Sequence, residues 1–418
     1  MRHPLINTLV NLRGNPRACV YTEPMWGLSM NLCLPYMSVF MLAIGLNDVE
    51  VGIIASIYMA SQIFFSLMSG ALTDKLGRRK SLAIFDALGW SVPTLIWLFA
   101  VDFKFFLVAA LFNGAMRVPM NSFNCLLIED TDKKQMTHIY SLIMISGCLS
   151  AFFSPISAIL ISRLTLIPAV RILFVNAFII MTTKIVLLYF LTRETTIGVA
   201  RMKETKEQSY ISHLLGNFKV LRLMRGSRGL VFSITIFSLF TIISMINSTF
   251  WQIFVSKKLD VPESALPLFT TFRAAISLVL FFAIIARVNQ LRLKYPLLLG
   301  FASFFAGQVI LLLTPTKEPL KYVFLCLSLT FDGLGAGMLA TLSEAMIALH
   351  SDEKERARVL AIYQVIVMIV CMPFGFIGGL LSDISRNLPF ILNLTLIAAG
   401  AVATLVYYRT AAGKSTAQ

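Results

Sequence analysis

The sequence predicts an all-α integral membrane protein in which twelve transmembrane helices form two pseudo-symmetric six-helix bundles. Of its 418 residues, 57% are hydrophobic and only 14% are charged, and the mean hydropathy is +0.79. A soluble fold could not bury that much apolar surface. A helix needs about 20 apolar residues to cross a bilayer core, and the chain contains roughly twelve such runs. The longest polar break divides these runs six and six.

Each predicted span is one of these apolar runs. Arg13 and Arg17 lead directly into the first run without a small-residue cleavage site, so we expect the first span to stay in the protein. The predicted spans are 24–46, 50–72, 81–101, 104–128, 139–162, 168–192, 229–255, 264–286, 295–315, 320–349, 358–382 and 387–408.

The long polar break defines three regions. Residues 1–192 are predicted to form an N-terminal six-helix bundle, residues 193–228 a cytoplasmic linker, and residues 229–418 a C-terminal six-helix bundle. Apolar residues in the linker recur at helical spacing, which predicts an amphipathic helix on the inner membrane surface or, alternatively, a site where a partner docks. The apolar residues of that helix are Ile211, Leu214, Leu215, Phe218, Leu221 and Met224.

The positive charges predict the orientation in the membrane. The net charge is +15, but the basic residues alternate with the spans, which argues against a nucleic-acid partner. Most of the 36 Lys and Arg residues fall on the cytoplasmic side when the N-terminus is placed inside. Both termini are therefore predicted to be cytoplasmic. Short loops and compact size fit a monomeric, multi-pass protein in the lipid bilayer of a bacterial inner membrane.

An internal repeat supports the two halves. Phe112-Asn113-Gly114 in the fourth span corresponds to Phe331-Asp332-Gly333 in the tenth. In each half a charged turn follows, and then a span that contains a proline, Pro155 or Pro373. Duplicated membrane halves commonly bind a solute near the bilayer midplane and expose it to each side in turn.

The loop between the second and third spans carries the motif Gly-x-Leu-x-Asp-Lys-x-Gly-Arg-Arg. Positive charge in such a loop would by itself only anchor the topology, but the full spacing is far more specific. With this loop and twelve spans, the chain resembles the transporters of the major facilitator superfamily over essentially its whole length. The motif positions are Gly70, Leu72, Asp74, Lys75, Gly77, Arg78 and Arg79.

The resemblance implies that this loop takes part in gating. Gly70 would let helices approach closely, and Gly77 would permit a tight turn. Asp74 would pack against the cytoplasmic start of the eleventh span, while Arg78 or Arg79 would reach acids at the end of the fourth. The predicted gating residues are Gly70, Asp74, Gly77, Arg78, Arg79, Glu129 and Asp130.

Charges inside the spans are the best pointers to function, because an ionised group at the bilayer centre costs about 2.5–3.5 kcal/mol on insertion scales. Arg117 and Arg273 lie near mid-depth on helices that line the central cavity in proteins resembling this one. They are predicted to bind an anionic group of a substrate, or one of them to pair with Asp332. Asp332 is the first candidate for proton coupling, and Glu344 is the second.

Two further charges are predicted to have other roles. Lys184 lies about two helical turns from the inner surface in a span that looks peripheral, so snorkelling to that surface is the better explanation. Asp86 is only six positions past Lys80 and is expected to pair with the basic cluster of the cytoplasmic loop.

Uncharged polar residues in the spans form a second group of candidates. They either hydrogen-bond between helices or contact a ligand. Their mixture with Trp26, Tyr36 and Trp251 would also suit a sugar, which stacks on aromatic rings. The predicted substrate-binding residues of this group are Asn31, Asn113, Asn247 and Gln252.

The predicted function is secondary active transport of a small polar organic solute, with an anion favoured by the arginines, coupled to protons and operating by alternating access. A neutral sugar transporter and a multidrug/proton antiporter are the alternatives. The fifth span disfavours the antiporter, because Ser154-Pro155-Ile156-Ser157-Ala158 replaces the Gly-Pro-x-x-Gly-Gly string of many such proteins.

A membrane-embedded receptor or enzyme is the remaining class. The four histidines lie in or near cytoplasmic segments, and the chain lacks the zinc-protease, nucleophile-turn and phosphate-loop motifs. The six cysteines lack the spacing of metal ligands. We therefore expect no enzyme activity, no cofactor, no metal and no disulfide. The expected partners are the solute and protons.

Overall fold

The computed structural model describes residues 4–132, 135–206, 227–283, 293–351 and 356–415, and every regular element in these ranges is helical. The prediction of an all-α membrane protein is confirmed. The helices of the first half are α1 Pro4–Asn11, α2 Gly14–Cys33, α3 Met37–Ile44, α4 Asp48–Leu76, α5 Arg78–Asp86, α6 Val92–Leu98, α7 Phe103–Asn113, α8 Arg117–Ile128, α9 Met136–Ala151, α10 Pro155–Leu164, α11 Leu166–Leu191 and α12 Thr196–Thr205. Those of the second half are α13 Arg228–Ile253, α14 Leu266–Ala283, α15 Lys294–Leu312, α16 Leu320–His350, α17 Arg356–Ile384 and α18 Leu388–Ser415.

Eleven helical stretches within the described residues are long and apolar enough to cross a membrane. They correspond to eleven of the twelve predicted spans. The remaining one, predicted at 264–286, coincides with α14, and residues 284–292 lie outside the described ranges. The largest shift is in the first span, which begins at Gly14 instead of 24. The helix continues through Glu23 because this carboxylate has a buried ion-pair partner, Lys184.

Four spans combine two helices, and in one of them a turn at residues 152–154 joins α9 to α10. The other three joints are 3-10 or π-helical. A short 3-10 helix, Leu34–Tyr36, joins α2 to α3, and another, Gly114–Met116, joins α7 to α8. A π-helical turn, Ala87–Ser91, joins α5 to α6. Such distortions within a span frequently mark functional positions, because they redirect the side chains that follow them. Arg117 is the first residue after the second 3-10 helix.

The chain divides into two compact units. Unit 1 consists of Met1–Leu46 and Ile57–Gly216, and unit 2 of Asn47–Ser56 and Asn217–Gln418. The amphipathic helix predicted in the linker falls on residues 207–226, outside the described ranges. The described part of the linker contains α12 instead, a short helix that was not predicted.

Each unit has its own apolar core. In unit 1, edge-on ring contacts join Phe40 to Phe106 and to Phe174, and all three rings are fully buried. The core of unit 2 includes Phe301 and Phe304. Within each unit, the core holds the helices at fixed distances, so polar side chains between those helices meet defined partners.

Unit 2 includes the first turns of α4, which pack closely on α17. A Cβ at Gly52 would lie 2.5 Å from the carbonyl oxygen of Gly375, a distance that leaves room only for glycine. Ser56 Oγ donates to the Met372 carbonyl at 2.7 Å and accepts from the Phe376 N–H at 2.8 Å. Close glycine contacts and side-chain bonds to backbone are typical of helix packing in membranes.

Candidate functional site

The loop between α4 and α5 places a buried arginine among acids of unit 1. Helix α4 ends at Leu76, and Gly77 takes a positive φ of 84° that favours glycine. The next residue, Arg78, is only 4% exposed. Its Nη1 lies 2.9 Å from Asp74 Oδ1, and its Nη2 lies 3.0 Å from Glu129 Oε1. One guanidinium therefore joins the end of α4 to the end of α8.

The start of the linker completes this arrangement. Glu194 accepts hydrogen bonds from the backbone N–H groups of Arg78 at 2.9 Å and Arg79 at 3.1 Å. Thr195 donates to Glu129, and its hydroxyl also accepts from the Gly198 N–H as the cap of α12. We call Asp74, Arg78, Glu129, Glu194 and Thr195 the loop cluster.

Helix α5 begins with three basic residues, Arg78, Arg79 and Lys80. Cations are unfavourable at a helix N-terminus, because the unpaired N–H groups there carry partial positive charge. The carboxylate of Glu194 offsets this, since it bonds two of those N–H groups. The linker thus supplies, at the N-terminus of α5, the negative charge that the α5 sequence itself lacks there. Neither Glu194 nor Thr195 was predicted from the sequence, and the N-cap position before α12 is the signal that marks Thr195.

Other gating candidates have different environments. Arg79 donates to the Tyr189 carbonyl at 2.6 Å and stacks over the Tyr189 ring, so it is Arg78 that reaches an acid of the fourth span. Asp130 accepts from Thr196. Among the described residues, a Cβ at Gly70 would meet nothing within 4 Å, so the predicted close helix approach is not found in that part of the chain.

One predicted gating contact lies beyond the described part of the chain. The eleventh span was expected to receive Asp74 at its cytoplasmic start, and residues 352–355 before α17 are outside the described ranges. That contact stays a prediction.

The half-buried Arg117 lies on α8 of unit 1. Its Nε donates to Gln62 Oε1 at 2.6 Å, and its Nη1 lies 3.9 Å from Met120 Sδ. Gln62 is a neutral, buried amide of α4. This bond orients the guanidinium, and a guanidinium can bind a carboxylate or phosphate with a forked pair of bonds.

Two predicted substrate contacts in unit 1 use an amide N–H within the protein. Asn113 is buried, and its Nδ2 donates to the Gly89 carbonyl at 2.6 Å, which ties α7 to the π-helical turn of the third span. Asn31 Nδ2 donates to the Gly27 carbonyl at 2.8 Å within α2. Asn113 is therefore placed for helix packing, while Asn31 is half-buried.

Unit 2 contains a buried chain of four polar side chains from four helices. Gln308 Nε2 of α15 donates to both carboxylate oxygens of Asp332 on α16, each at 3.1 Å. Asn393 Nδ2 of α18 donates to Gln308 Oε1 at 3.3 Å and to Asn247 Oδ1 of α13 at 3.0 Å. All four residues are buried, and Asp332 is only 2% exposed. We call these four residues the amide network.

Arg273 of α14 lies beside this network. Its guanidinium lies 6.0 Å from the centroid of the Trp251 ring, and its charge interacts with that of Asp332. The described residues include no acid within ion-pair distance of Arg273. The proposed internal pair of Arg273 with Asp332 is thus an attraction across a gap and not a direct salt bridge.

Several buried polar atoms near these residues lack a hydrogen-bond partner in the described structure. They include Trp251 Nε1, Gln252 Oε1 and Asn393 Oδ1. An unsatisfied buried polar group is costly, so such atoms are informative about where a ligand or water binds. Asn247 and Gln252 are predicted substrate contacts, and Trp251 was noted as a stacking surface.

Glu344 is separate from Asp332. It is exposed in the described structure and lies 12 positions further along α16, which corresponds to about 18 Å of helix. The two predicted proton-coupling acids therefore do not form one site.

The predictions for Lys184 and Asp86 are wrong. Lys184 does not reach a membrane surface, because it is 4% exposed and its Nζ pairs with Glu23 Oε2 at 3.2 Å. Asp86 is buried, and its charge interacts with Lys184 and Glu23 instead of the loop arginines. The packing of α2, α5 and α11 brings these three residues together, and we call them the buried triad.

One histidine near the end of unit 2 has a distinct environment. His350 Nδ1 lies 2.9 Å from Ser233 Oγ, and its Nε2 lies 3.4 Å from the Tyr407 hydroxyl. It follows the last residue of the tenth span, Ile347. Burial lowers the pKa of His350 from its ordinary value of 6.5, although a hydrogen bond with the Met346 backbone opposes this.

Comparisons with known proteins extend these observations. Models of the Major Facilitator Superfamily match residues 25–317 and 232–418. A search of curated sequences found no match. Among solved structures, a mutant of the nucleoside transporter NupG aligns with a TM-score of 0.76 and 13% identity over 94% of this chain and 99% of its own. A peptide transporter POT in complex with sulfate aligns with a TM-score of 0.70 and 14% identity over 98% of both chains.

Proposed function

The chain belongs to the major facilitator superfamily, and we propose that it is a secondary active transporter that moves a small polar organic solute by alternating access, driven by protons. The observation that carries the proposal is the amide network, which connects a buried acid to Asn247, a predicted substrate contact. At these identities the likeness to NupG and POT is one of fold. The class of solute and the coupling to protons are therefore proposed here and are not taken from those structures.

The amide network has a fixed direction that depends on the charge of Asp332. An ionised carboxylate only accepts hydrogen bonds, so Gln308 must present its N–H₂ to Asp332 and its carbonyl to Asn393. Asn393 must then present its N–H₂ to Asn247. A protonated Asp332 can donate, which allows Gln308 and Asn393 to turn. Proton uptake by Asp332 thereby changes the hydrogen bonding available at Asn247.

The arginines support an anionic solute. Arg117 donates a hydrogen bond to Gln62, and Arg273 faces the ring of Trp251. A cation in an apolar region is stabilised by an anion that approaches it, so each arginine offers a contact for a carboxylate or phosphate. The orphaned atoms Trp251 Nε1 and Gln252 Oε1 would provide further contacts in unit 2.

An uptake screen in proteoliposomes tests the proposal. Sugars, organic acids, nucleosides and peptides are offered with and without an imposed proton gradient, the last two because NupG and POT are described as transporting them. We expect gradient-driven accumulation of one class. Asp332→Asn should abolish accumulation and retain solute exchange, which needs no net proton movement. Normal accumulation in this variant, with loss in Glu344→Gln, would assign coupling to Glu344.

The alternative of a neutral sugar is supported by the three amide side chains of the amide network and by the indole of Trp251. Arg117→Ala and Arg273→Ala distinguish it from the anion reading. Loss of affinity for the identified solute in either variant supports an anion, while unchanged affinity in both supports a neutral solute. If the protein is a multidrug antiporter, it should reduce dye accumulation in cells. Unchanged dye accumulation, together with uptake of a solute in the proteoliposome screen, excludes this alternative.

The proposal places the protein in a bacterial inner membrane as a monomer with both termini in the cytoplasm. A reporter fused to the C-terminus tests the orientation, because fluorescent and alkaline phosphatase reporters are active on opposite sides of that membrane. A fluorescent fusion is expected to be active. Activity of the phosphatase fusion alone would show that the C-terminus lies on the opposite side of the membrane.

A further inference from the structure

The buried triad of unit 1 has charges that do not balance. Glu23 and Lys184 form a direct pair, with 12% and 5% of their side chains exposed. Asp86 adds a second carboxylate and is also buried. One ammonium compensates one carboxylate, so two ionised carboxylates would leave an uncompensated negative charge in apolar surroundings. Burial disfavours such a charge.

All three residues lie at a similar depth in their spans. Glu23 is nine positions after the start of α2, Asp86 is eight after the start of α5, and Lys184 is seven before the end of α11. These separations correspond to roughly 10–14 Å of helix from the same side of unit 1. The triad is therefore well inside the span region.

Few other groups act on the triad. The Cys19 thiol of α2 is fully buried and lies within the electrostatic range of Glu23 and Lys184. From α8, the Phe123 ring faces Lys184, with Nζ 5.4 Å from its centroid. Within the described residues, neither α8 nor α9 contributes a charge that acts on Asp86 or on the Cys19 thiol. Lys184 is thus the only cation in the described structure that acts on Asp86.

We propose that Glu23, Lys184 and Asp86 form a proton-binding site in unit 1, in which the two carboxylates hold one proton and Lys184 compensates the remaining charge. The proton comes from water, binds one carboxylate oxygen and returns to water on release. The lysine supplies the positive charge that a metal ion would supply, and the described residues contain no cluster of three His, Cys, Asp or Glu side chains for a metal. A role of this proton-binding site in driving transport rests on the proposed function, but the existence of the site does not.

Infrared difference spectroscopy of the purified full chain in liposomes tests the site without a solute. A protonated carboxylic acid has a C=O stretch that a carboxylate lacks, so a pH titration should show this band in the wild type. In Asp86→Asn or Glu23→Gln the remaining carboxylate pairs with Lys184 one to one. We expect the band from the triad to disappear in both variants.

Matched variants separate this site from other acids. Asp332→Asn should retain the triad band, since Asp332 belongs to unit 2, and Cys19→Ser should also retain it. Lys184→Met should increase the band, because both carboxylates then lose their partner. A band unchanged in both Asp86→Asn and Glu23→Gln overturns the proposal. Should one variant fail to fold, the other makes the same prediction.

The result is separable from that of the uptake screen. If no solute is transported but the band depends on Glu23 and Asp86, the proton site stands and the proposed function fails. If a solute accumulates but the band is insensitive to both variants, only the proton site fails.

Discussion

The loop cluster of unit 1 and the amide network of unit 2 each stabilise a buried charged side chain, but they do so with different chemistry. Arg78 in the loop cluster is compensated by the charges of Asp74 and Glu129. Asp332 in the amide network is held by Gln308, a neutral amide, with Arg273 only nearby. Paired charges fix one geometry strongly, whereas amides can turn and exchange donor for acceptor. The comparison predicts that the loop cluster holds a conformation and that the amide network changes state.

The largest expected effect is loss of the central charge of the loop cluster. Arg78→Ala leaves the half-buried acid Glu129 without its guanidinium, and removal of one partner of a buried pair costs about 3–5 kcal/mol. We expect the midpoint of thermal unfolding in detergent to fall sharply. Arg201→Ala is the matched control, because its pair with Glu204 is 52% and 58% exposed and such surface pairs contribute about 0–1 kcal/mol. Equal shifts in the two variants would remove the distinction on which the comparison rests.

The next effect concerns the cap that the linker provides to α5. Glu194→Gln removes the charge that bonds the N–H groups of Arg78 and Arg79, and hydrogen bonds to charged groups contribute about 1.5–3 kcal/mol. Hydrogen exchange at those two amides should accelerate, while Glu204→Gln leaves them unchanged. Slow exchange in Glu194→Gln would show that the linker does not stabilise the start of α5.

Removing the first amide of the network should have a smaller effect on stability. Gln308→Leu leaves buried Asp332 without this donor, at a cost of about 1–3 kcal/mol. Replacing both partners by apolar groups is expected to restore part of the loss, so Gln308→Leu with Asp332→Leu should destabilise by less than the sum of the single variants. Thermal unfolding of the four proteins gives this coupling. Strict additivity would show that the two side chains act independently, and the network would not transmit the state of Asp332.

The loop cluster was partly predictable because its motif is contiguous. Gly77 and Arg78 have a spacing that the sequence displays directly, and the turn follows from the glycine. The partner Glu194 lies 116 positions from Arg78, so no local pattern connects them. Predicting it requires knowing that the helix start needs an acceptor and that the linker returns to it.

The interior contacts were less predictable for the same reason. Asp332 was identified as a charge inside a span, but Gln308 and Asn393 are ordinary polar residues until four helices pack together. For Lys184, depth alone favoured snorkelling, and its partner Glu23 lies 161 positions earlier. Periodicity reveals which segments are helices, while partners of buried polar groups depend on which helices are neighbours.

The smallest expected effect extends the comparison to His350, a titratable group near the end of unit 2. Burial lowers its pKa in the folded protein, so between the folded and the ordinary value of 6.5 the unfolded chain binds more protons. Stability from this group is therefore complete above the unfolded pKa and is lost as the pH falls through 6.5 toward the folded pKa. His350→Gln should reduce the fall in unfolding midpoint between pH 7 and pH 5, while His138→Gln, whose partner is Thr8 in unit 1, provides the control. A pH dependence unchanged by His350→Gln would show that unit 2 draws none of its acid sensitivity from this end.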